Sequence, residues 1–303
     1  MRTDLYQAIT RSILAAIEAG ARSGKYRMPW HRSSGTSTPL NAVSGRPYRG
    51  INTLLLWAAA TEAGYPTGKW ATYRQWSATG AQVRKGEQAT VVLLWKTVGS
   101  GATDQDQTDA DHERSRQRML ARAFHVFNAA QVDGWTPKQP VLPLAARISA
   151  AEEFFAALPA EVSHGSDDAF YDPASDNVFL PSFSAFRSAE AYYSVYAHEL
   201  THWTGIKSRL DRDLTGRFGS HAYAMEELVA ELGAAFTVGH LGLAATPRED
   251  HALYIASWLA ALKDDPRAIV TAASRAQAAA DYLIALGEPT PPIARPAAPE
   301  CVA

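Results

Sequence analysis

Cysteine is almost absent from this chain: the one thiol, Cys301, lies two residues before the last, Ala303. That excludes intrachain disulfides and thiolate-rich zinc sites. Long apolar runs are lacking as well. None approaches the ~18 residues of a membrane span, and Met1 to Ala21 reads as a charged amphipathic segment rather than a signal peptide. No membrane partner is expected, and the expected location is the cytoplasm. No internal repeat is visible.

What the chain does have is length and an uneven spread of charge. Its 303 residues, 47% of them hydrophobic, suffice for two domains with cores of their own. The net charge of -2 hides a division: residues 1–147 hold 19 Lys+Arg against 10 Asp+Glu, and residues 148–303 hold 10 against 21. A basic first half suits a polyanionic partner, unless its basic face simply answers the acidic half of its own chain.

The most specific stretch runs from Tyr193 to Gly205, YSVYAHELTHWTG. His198, Glu199 and His202 fit H-E-x-x-H. On a helix, residues four apart share a face, so both imidazoles can grip one ion with Glu199 beside it as general base. Alanine, serine and aromatic residues from Ser188 to Tyr196 sustain such a helix, and Gly205 stands where it should end. A hydrolytic zinc site uses three protein ligands and leaves a fourth position for water. The third ligand is expected in Met225 to Phe236, MEELVAELGAAF, where Glu226, Glu227 and Glu231 compete. Glu227 and Glu231 share a helix face while Glu226 points about 100° away, which favours Glu227 as ligand and Glu231 as the carboxylate holding His198 in its tautomer. His221 and Asp211 have no spacing argument behind them. The pattern resembles that of the gluzincin metallopeptidases, in which H-E-x-x-H is followed by a helix carrying E-x-x-x-D or E-x-x-x-E. The matching residues are His198, Glu199, His202, Glu227 and Glu231. Zinc is the expected cofactor, with another divalent ion such as Mn2+ as the alternative.

The other segments read as an α+β chain. Leu5, Ile9, Ile13 and Ile17 give Asp4 to Ala21 the stripe of an amphipathic helix. Ser23 to Pro47 is irregular and holds Lys25, Arg27, Trp30, His31 and Arg32, basic and aromatic residues of the kind that bind unpaired nucleic acid. Helices follow at Thr53 to Ala63 and Thr72 to Thr79. Ala81 to Val83 and Thr90 to Trp95 are expected to form a hairpin with a basic tip at Arg84-Lys85, and Phe124 to Asn128 another strand. Gly99 to Arg122 is expected to be an excursion, disordered or partly helical at its basic end. The proline-containing Gly134 to Pro143 separates a domain at 1–136 from a domain at 145–287. The second domain starts with a helix from Ser149 to Leu158, Ser149 and Glu152 forming a capping box. A strand pair, Ala169 to Asp172 and Asn177 to Pro181, precedes the metal helix, and an edge strand there can align a peptide by β-addition. Two helices between Ala244 and Leu286 break at Asp264-Asp265-Pro266. Residues 288–303, with five prolines, are expected to be a disordered tail.

Taken together, PLNAVSGRPYRGIN (Pro39 to Asn52), GKWATYRQW (Gly68 to Trp76), VRKGEQATVVLLWK (Val83 to Lys96), FHVFNAAQV (Phe124 to Val132), YAHELTHWTG and MEELVAELGAAF make the chain similar to the ArdC family of plasmid antirestriction proteins, whose N-terminal domain is related to that of TraC-type primases. The resemblance covers nearly all of the chain except the tail. It implies an N-terminal α+β domain that binds single-stranded DNA and a mostly helical zincin-like (gluzincin) metallopeptidase domain with a small sheet. It also implies a plasmid-encoded bacterial protein that shields entering DNA from restriction enzymes during conjugation.

On that reading Arg27, Arg46, Arg49, Arg74, Arg84, Lys85 and Lys96 neutralise phosphates, and some of Trp30, Tyr48, Trp70, Tyr73 and Trp76 stack on bases. The competing reading makes the chain an active zinc peptidase that cleaves DNA-bound proteins or itself. There Glu199 takes a proton from water, and Tyr223 or His221 stabilises the oxyanion. A third reading keeps the metal for stability alone, although such a site has no need of Glu199.

Overall fold

The computed structural model describes residues 2–22, 28, 30–31, 38–98, 118–136, 143–217, 220–246, 251–265 and 267–288. The expected tail after Glu288, Arg27, and most of the excursion after residue 98 lie outside the described residues. So do the side chains of Leu5 and Lys96.

In chain order the elements are α1 (Arg2–Arg22), β1 (Leu40–Asn41), α2 (Ile51–Glu62), β2 (Lys69–Ala71), α3 (Tyr73–Ala78), β3 (Gln82–Val83), β4 (Thr90–Val98), β5 (Arg118–Asn128) and β6 (Val132–Asp133). The second half continues with α4 (Leu144–Ala156), β7 (Glu161–His164), β8 (Phe170–Asp172), β9 (Asn177–Leu180), α5 (Ala189–Trp203), α6 (His221–His240), α7 (His251–Asp264) and α8 (Ala268–Gly287). The fold is thus mixed helix and sheet with small sheets.

Four strands form a sheet in the order β1-β2-β5-β4, β3 pairs with β6, and β7-β9-β8 make a separate three-stranded sheet. Two sequence expectations fail here. β3 does not pair with β4 across Arg84-Lys85; it runs antiparallel to β6, and Arg84 N–H donates to the Gln131 carbonyl to extend that pairing. β4 instead takes the long β5 as its partner, from Thr90 opposite Val126 to Val98 opposite Arg118. The basic end of the excursion, Arg118 to Arg122, is therefore strand rather than helix. A longer ladder satisfies more backbone groups than a two-residue one can, which decides between the pairings.

The helix expected at Ser149 begins earlier, at Leu144. Pro143 supplies an extended N-cap with ψ 150°, and the Leu-Ala-Ala run after it is strongly helix-forming, so the Ser149 box falls inside the helix. Elsewhere the caps match their chemistry. The Thr72 side chain accepts from Gln75 N–H, Ser188 from Ala191 N–H and Ser220 from Tyr223 N–H, which sets the starts of α3, α5 and α6.

The two halves share a core. Ile9, Ile13 and Ile17 of α1, with Met28, Trp30 and much of α2, pack in one buried cluster with Leu228, Leu232 and Phe236 of α6, Trp258 of α7 and Ile269 of α8. A second cluster joins α4, α5 and the β8–β9 pair to the other side of α6 and α8. Helix α6 therefore lies between both halves, and it is the helix that carries Glu226, Glu227 and Glu231.

Candidate metal centre

Helix α5 brings His198, Glu199 and His202 to its buried side, and α6 packs against it with its glutamates facing them. The two imidazole Nε2 atoms lie 3.2 Å apart, and the Glu227 carboxylate is 3.5 Å from each. Among the described residues, His198, His202 and Glu227 form the one group of three such side chains whose ligand atoms all fall within 4.8 Å of one another. A tetrahedral ion with ligands at about 2.0–2.1 Å separates its donors by roughly 3.3 Å, so the spacing suits a small divalent ion. His221 and Asp211 are exposed and stand outside this group.

The outer nitrogens explain why these inner ones converge. His198 Nδ1 faces Glu231 Oε2 at 3.5 Å, and His202 Nδ1 faces Glu226 Oε1 at 3.3 Å. Each ring thus stands between two carboxylates, and with its one hydrogen on Nδ1, toward Glu231 or Glu226, it presents the Nε2 lone pair inward toward Glu227. Two lone pairs and a carboxylate pointing at one another repel unless a cation lies between them. Two imidazole nitrogens and a carboxylate at this spacing fit a divalent metal.

Glu226 points to a different side of α6 from Glu227, as the helical repeat predicts, and so reaches His202 Nδ1 rather than the ligand position. It is held by Arg212, which donates to both carboxylate oxygens as well as to Thr204 Oγ1 at 2.9 Å and the Thr201 carbonyl at 2.6 Å. Burial raises the Glu226 pKa, but hydrogen bonds from His202 and Arg212 outweigh it and leave the carboxyl below its ordinary value. Arg212 carries no spacing signal; only the fold of the loop between α5 and α6 reveals it.

The metal group opens into a cleft of about 770 Å³ lined by Glu199, Tyr223, Leu214, Phe186 and the strand β8. β8 is an edge of its sheet. Tyr223 reaches this cleft and the exposed His221 does not.

The residues expected to meet DNA scatter. Trp30, Trp70 and Trp76 are 0% exposed and belong to the core, which corrects their reading as stacking platforms. Trp76 donates to the Phe127 carbonyl at 3.0 Å, and Trp30 to Glu231 at 3.3 Å. Tyr48 is half-buried against the cluster around Leu56 and Trp70. Tyr73 is 50% exposed and lines a cleft of about 520 Å³ with Gln82, Phe127, Arg84 and Lys85. Arg74 is exposed on the same short helix, α3, and Arg46 is exposed on the turn after β1. Arg49 pairs with Asp281 of α8, and Arg84 with Glu87 and Asp133, so part of their charge is answered within the chain.

Fold and site together define a protein with a zincin-like metallopeptidase domain behind a mixed α/β domain. Residues 149–275 match the zincin-like metallopeptidase family model, and residues 3–127 match the N-terminal domain of anti-restriction factor ArdC. The chain belongs to the ArdC family of antirestriction proteins. It is 39% identical to the antirestriction ArdC protein from plasmid R388, whose Mn(II)-bound crystal structure superposes with a TM-score of 0.74 over 93% of this chain and 98% of that one. It is 53% identical to the uncharacterized protein y4eC of Sinorhizobium fredii (strain NBRC 101917 / NGR234), covering 93% of this chain and 92% of the relative. A DNA primase TraC from Escherichia coli is 36% identical over 94% of this chain, which spans only 27% of that primase. The zincin-like domain implies a divalent metal.

Proposed function

We propose that this antirestriction protein binds single-stranded DNA through the face built on Tyr73, Arg74, Arg84 and Lys85, and that it thereby protects plasmid DNA entering a recipient during conjugation. The observation that carries the reading is the position of Tyr73. Of the five aromatic candidates it alone exposes half its surface, and it does so in the cleft that Arg84 and Lys85 also line. A ring beside two cations is what an unpaired base and its phosphates require. The ArdC-type N-terminal domain and the partial likeness to a primase support a nucleic-acid partner. The test is fluorescence anisotropy with labelled single-stranded and duplex oligonucleotides across a salt series. Single strands should bind more tightly, with a slope of about 0.7 per neutralised phosphate, and Tyr73→Ala should weaken binding. Equal affinity for duplex, or salt-insensitive binding, overturns the reading.

The second reading, a peptidase acting on DNA-bound proteins or on the chain itself, is favoured by one observation: the edge strand β8 and Glu199 line the same cleft. We assign His198, His202 and Glu227 as ligands of zinc or Mn2+, with Glu231 supporting His198. The ion supplies Lewis-acid activation of water and of a carbonyl. Glu199 accepts the proton of the attacking water at its carboxylate and returns it to the leaving amine. Tyr223 is placed to donate its hydroxyl hydrogen to the oxygen that gains charge.

A further inference from the structure

We propose that His31, together with Trp30, is a positioning residue of the metal centre, so that the first half of the chain completes a site whose ligands all come from the second. The inference rests on the assignment of His198, His202 and Glu227 as ligands.

The two oxygens of Glu231 face opposite ways. Oε2 lies 3.5 Å from His198 Nδ1, while Oε1 lies 2.7 Å from His31 Nε2 and 3.3 Å from Trp30 Nε1. These partners are 200 and 201 residues away in sequence, and all three side chains are buried. The direction of the hydrogen bonds is fixed from the far side of the His31 ring. The Met28 backbone N–H donates to His31 Nδ1 at 3.0 Å, so Nδ1 is an acceptor and the ring hydrogen sits on Nε2, pointing at Glu231. The His31 backbone N–H returns a bond to the Met28 carbonyl at 3.0 Å. Trp30 is braced in turn by Trp258, 6.2 Å between ring centres, and Trp258 donates to the Ala224 carbonyl of α6.

A buried carboxylate accepting two N–H bonds at one oxygen cannot rotate without leaving both donors unsatisfied, each at a cost of roughly 1–3 kcal/mol. Its second oxygen is thereby held toward His198 Nδ1, 3.5 Å away, where its charge favours the ring hydrogen and so leaves the Nε2 lone pair for the metal side. Outer partners of this kind alter metal affinity by about 10–100-fold when removed. Reciprocity follows: if seating of His31 against Glu231 favours the ion, the ion favours that seating by the same factor.

The experiment titrates Mn2+ into the full-length, metal-stripped protein by calorimetry for wild type, His31→Ala, His31→Gln, Trp30→Phe, Met28→Ala and His202→Ala. His31→Ala should raise the Mn2+ dissociation constant about 10–100-fold, and His31→Gln, which keeps an N–H donor, should recover most of that loss. Trp30→Phe, which removes only the weaker donor, should fall between wild type and His31→Ala. Met28→Ala removes only a core side chain and keeps the backbone N–H that fixes the His31 ring, so it should leave the constant within about 2-fold of wild type, well below the loss expected for an outer partner. Hydrogen exchange gives the reciprocal readout: Mn2+ should slow exchange at the Met28 and His31 amides in wild type but not in Glu231→Gln. A His31→Ala protein that binds Mn2+ like wild type, or a Met28→Ala protein that loses as much as His31→Ala, overturns the proposal and leaves the ligand assignment standing. A wild type that takes up no Mn2+, or a His202→Ala protein that binds it equally well, overturns the ligand assignment and the proposal with it.

Discussion

Thr201 of α5 occupies the space that a side chain at Gly233 of α6 would need. A methyl group added at Gly233 would stand 2.6 Å from Thr201 Cγ2 and 2.7 Å from its Oγ1, closer than carbon contacts allow. The threonine cannot turn aside freely, because it is β-branched and its hydroxyl donates to the Ala197 carbonyl at 2.7 Å. This contact sets how near the helix carrying the imidazoles comes to the helix carrying the glutamates.

Gly233→Ala should therefore act on stability and on the metal together. Overpacking of this kind costs about 1–3 kcal/mol, read as a lower urea midpoint at unchanged slope. Because relief requires α5 and α6 to separate, the gain in melting temperature on adding Mn2+ should shrink as well. A variant with a lower midpoint and a full metal-induced shift would show that the spacing can relax without reaching the site.

The Arg212–Glu226 pair gives a pH prediction. Glu226 sits below its ordinary value of 4.5 when folded, so its contribution is complete above that value and is lost as pH falls through the folded one. In metal-stripped protein the stability difference between wild type and Glu226→Gln should be largest near neutrality and close on acidification below about 4.5. Arg212→Met should be worse than Glu226→Gln at neutral pH, by about 3–5 kcal/mol relative to wild type, because it leaves a buried carboxylate without its cation. Urea unfolding at a series of pH values measures both.

How much of this was readable beforehand follows from the range of each interaction. His198, Glu199 and His202 sit within one turn of helix, and the periodicity alone put them on one face; Glu227 needed only the same argument on a second helix. The partners of the outer nitrogens depended on how α5, α6 and the segment at 28–31 come together. No periodicity links Glu231 to His31, or Glu226 to Arg212. The aromatic residues of the first half failed for the same reason. Trp70 and Tyr73 stand three residues apart in one motif, yet one is a strand residue under the sheet and the other faces solvent from α3. The local pattern favoured a hairpin of β3 with β4 because nothing in the sequence marks the two-residue β6, which only the fold brings beside β3.

Asp176 takes a left-handed backbone, φ 54°, at the turn between β8 and β9, and its carboxylate accepts from Tyr171 Oη at 2.8 Å and Arg209 Nη1 at 3.0 Å. Arg209 also lies over the Trp203 ring, 3.9 Å from its centre, so the turn is tied to the end of α5. Asp176→Asn keeps a residue that tolerates this conformation, whereas Asp176→Ala loses both conformation and pair. Stability should fall from wild type through Asn to Ala, the last step costing about 1–2 kcal/mol. Equal loss in the two variants would assign the whole effect to the charge.

Glu199→Ala separates the two functional readings. Its side chain lines the metal cleft but is not one of the three groups whose donor atoms converge, so Mn2+ uptake should persist. The face at Tyr73 and Lys85 belongs to a different cleft with no residue in common, so affinity for single-stranded DNA should be unchanged. If binding is what protects DNA, conjugative transfer into a restricting recipient should also survive the substitution, while any cleavage of casein or of the chain itself should disappear, general-base removal typically costing about 10²–10⁴-fold. Loss of protection with DNA affinity and metal content intact would move proteolysis from the alternative to the mechanism.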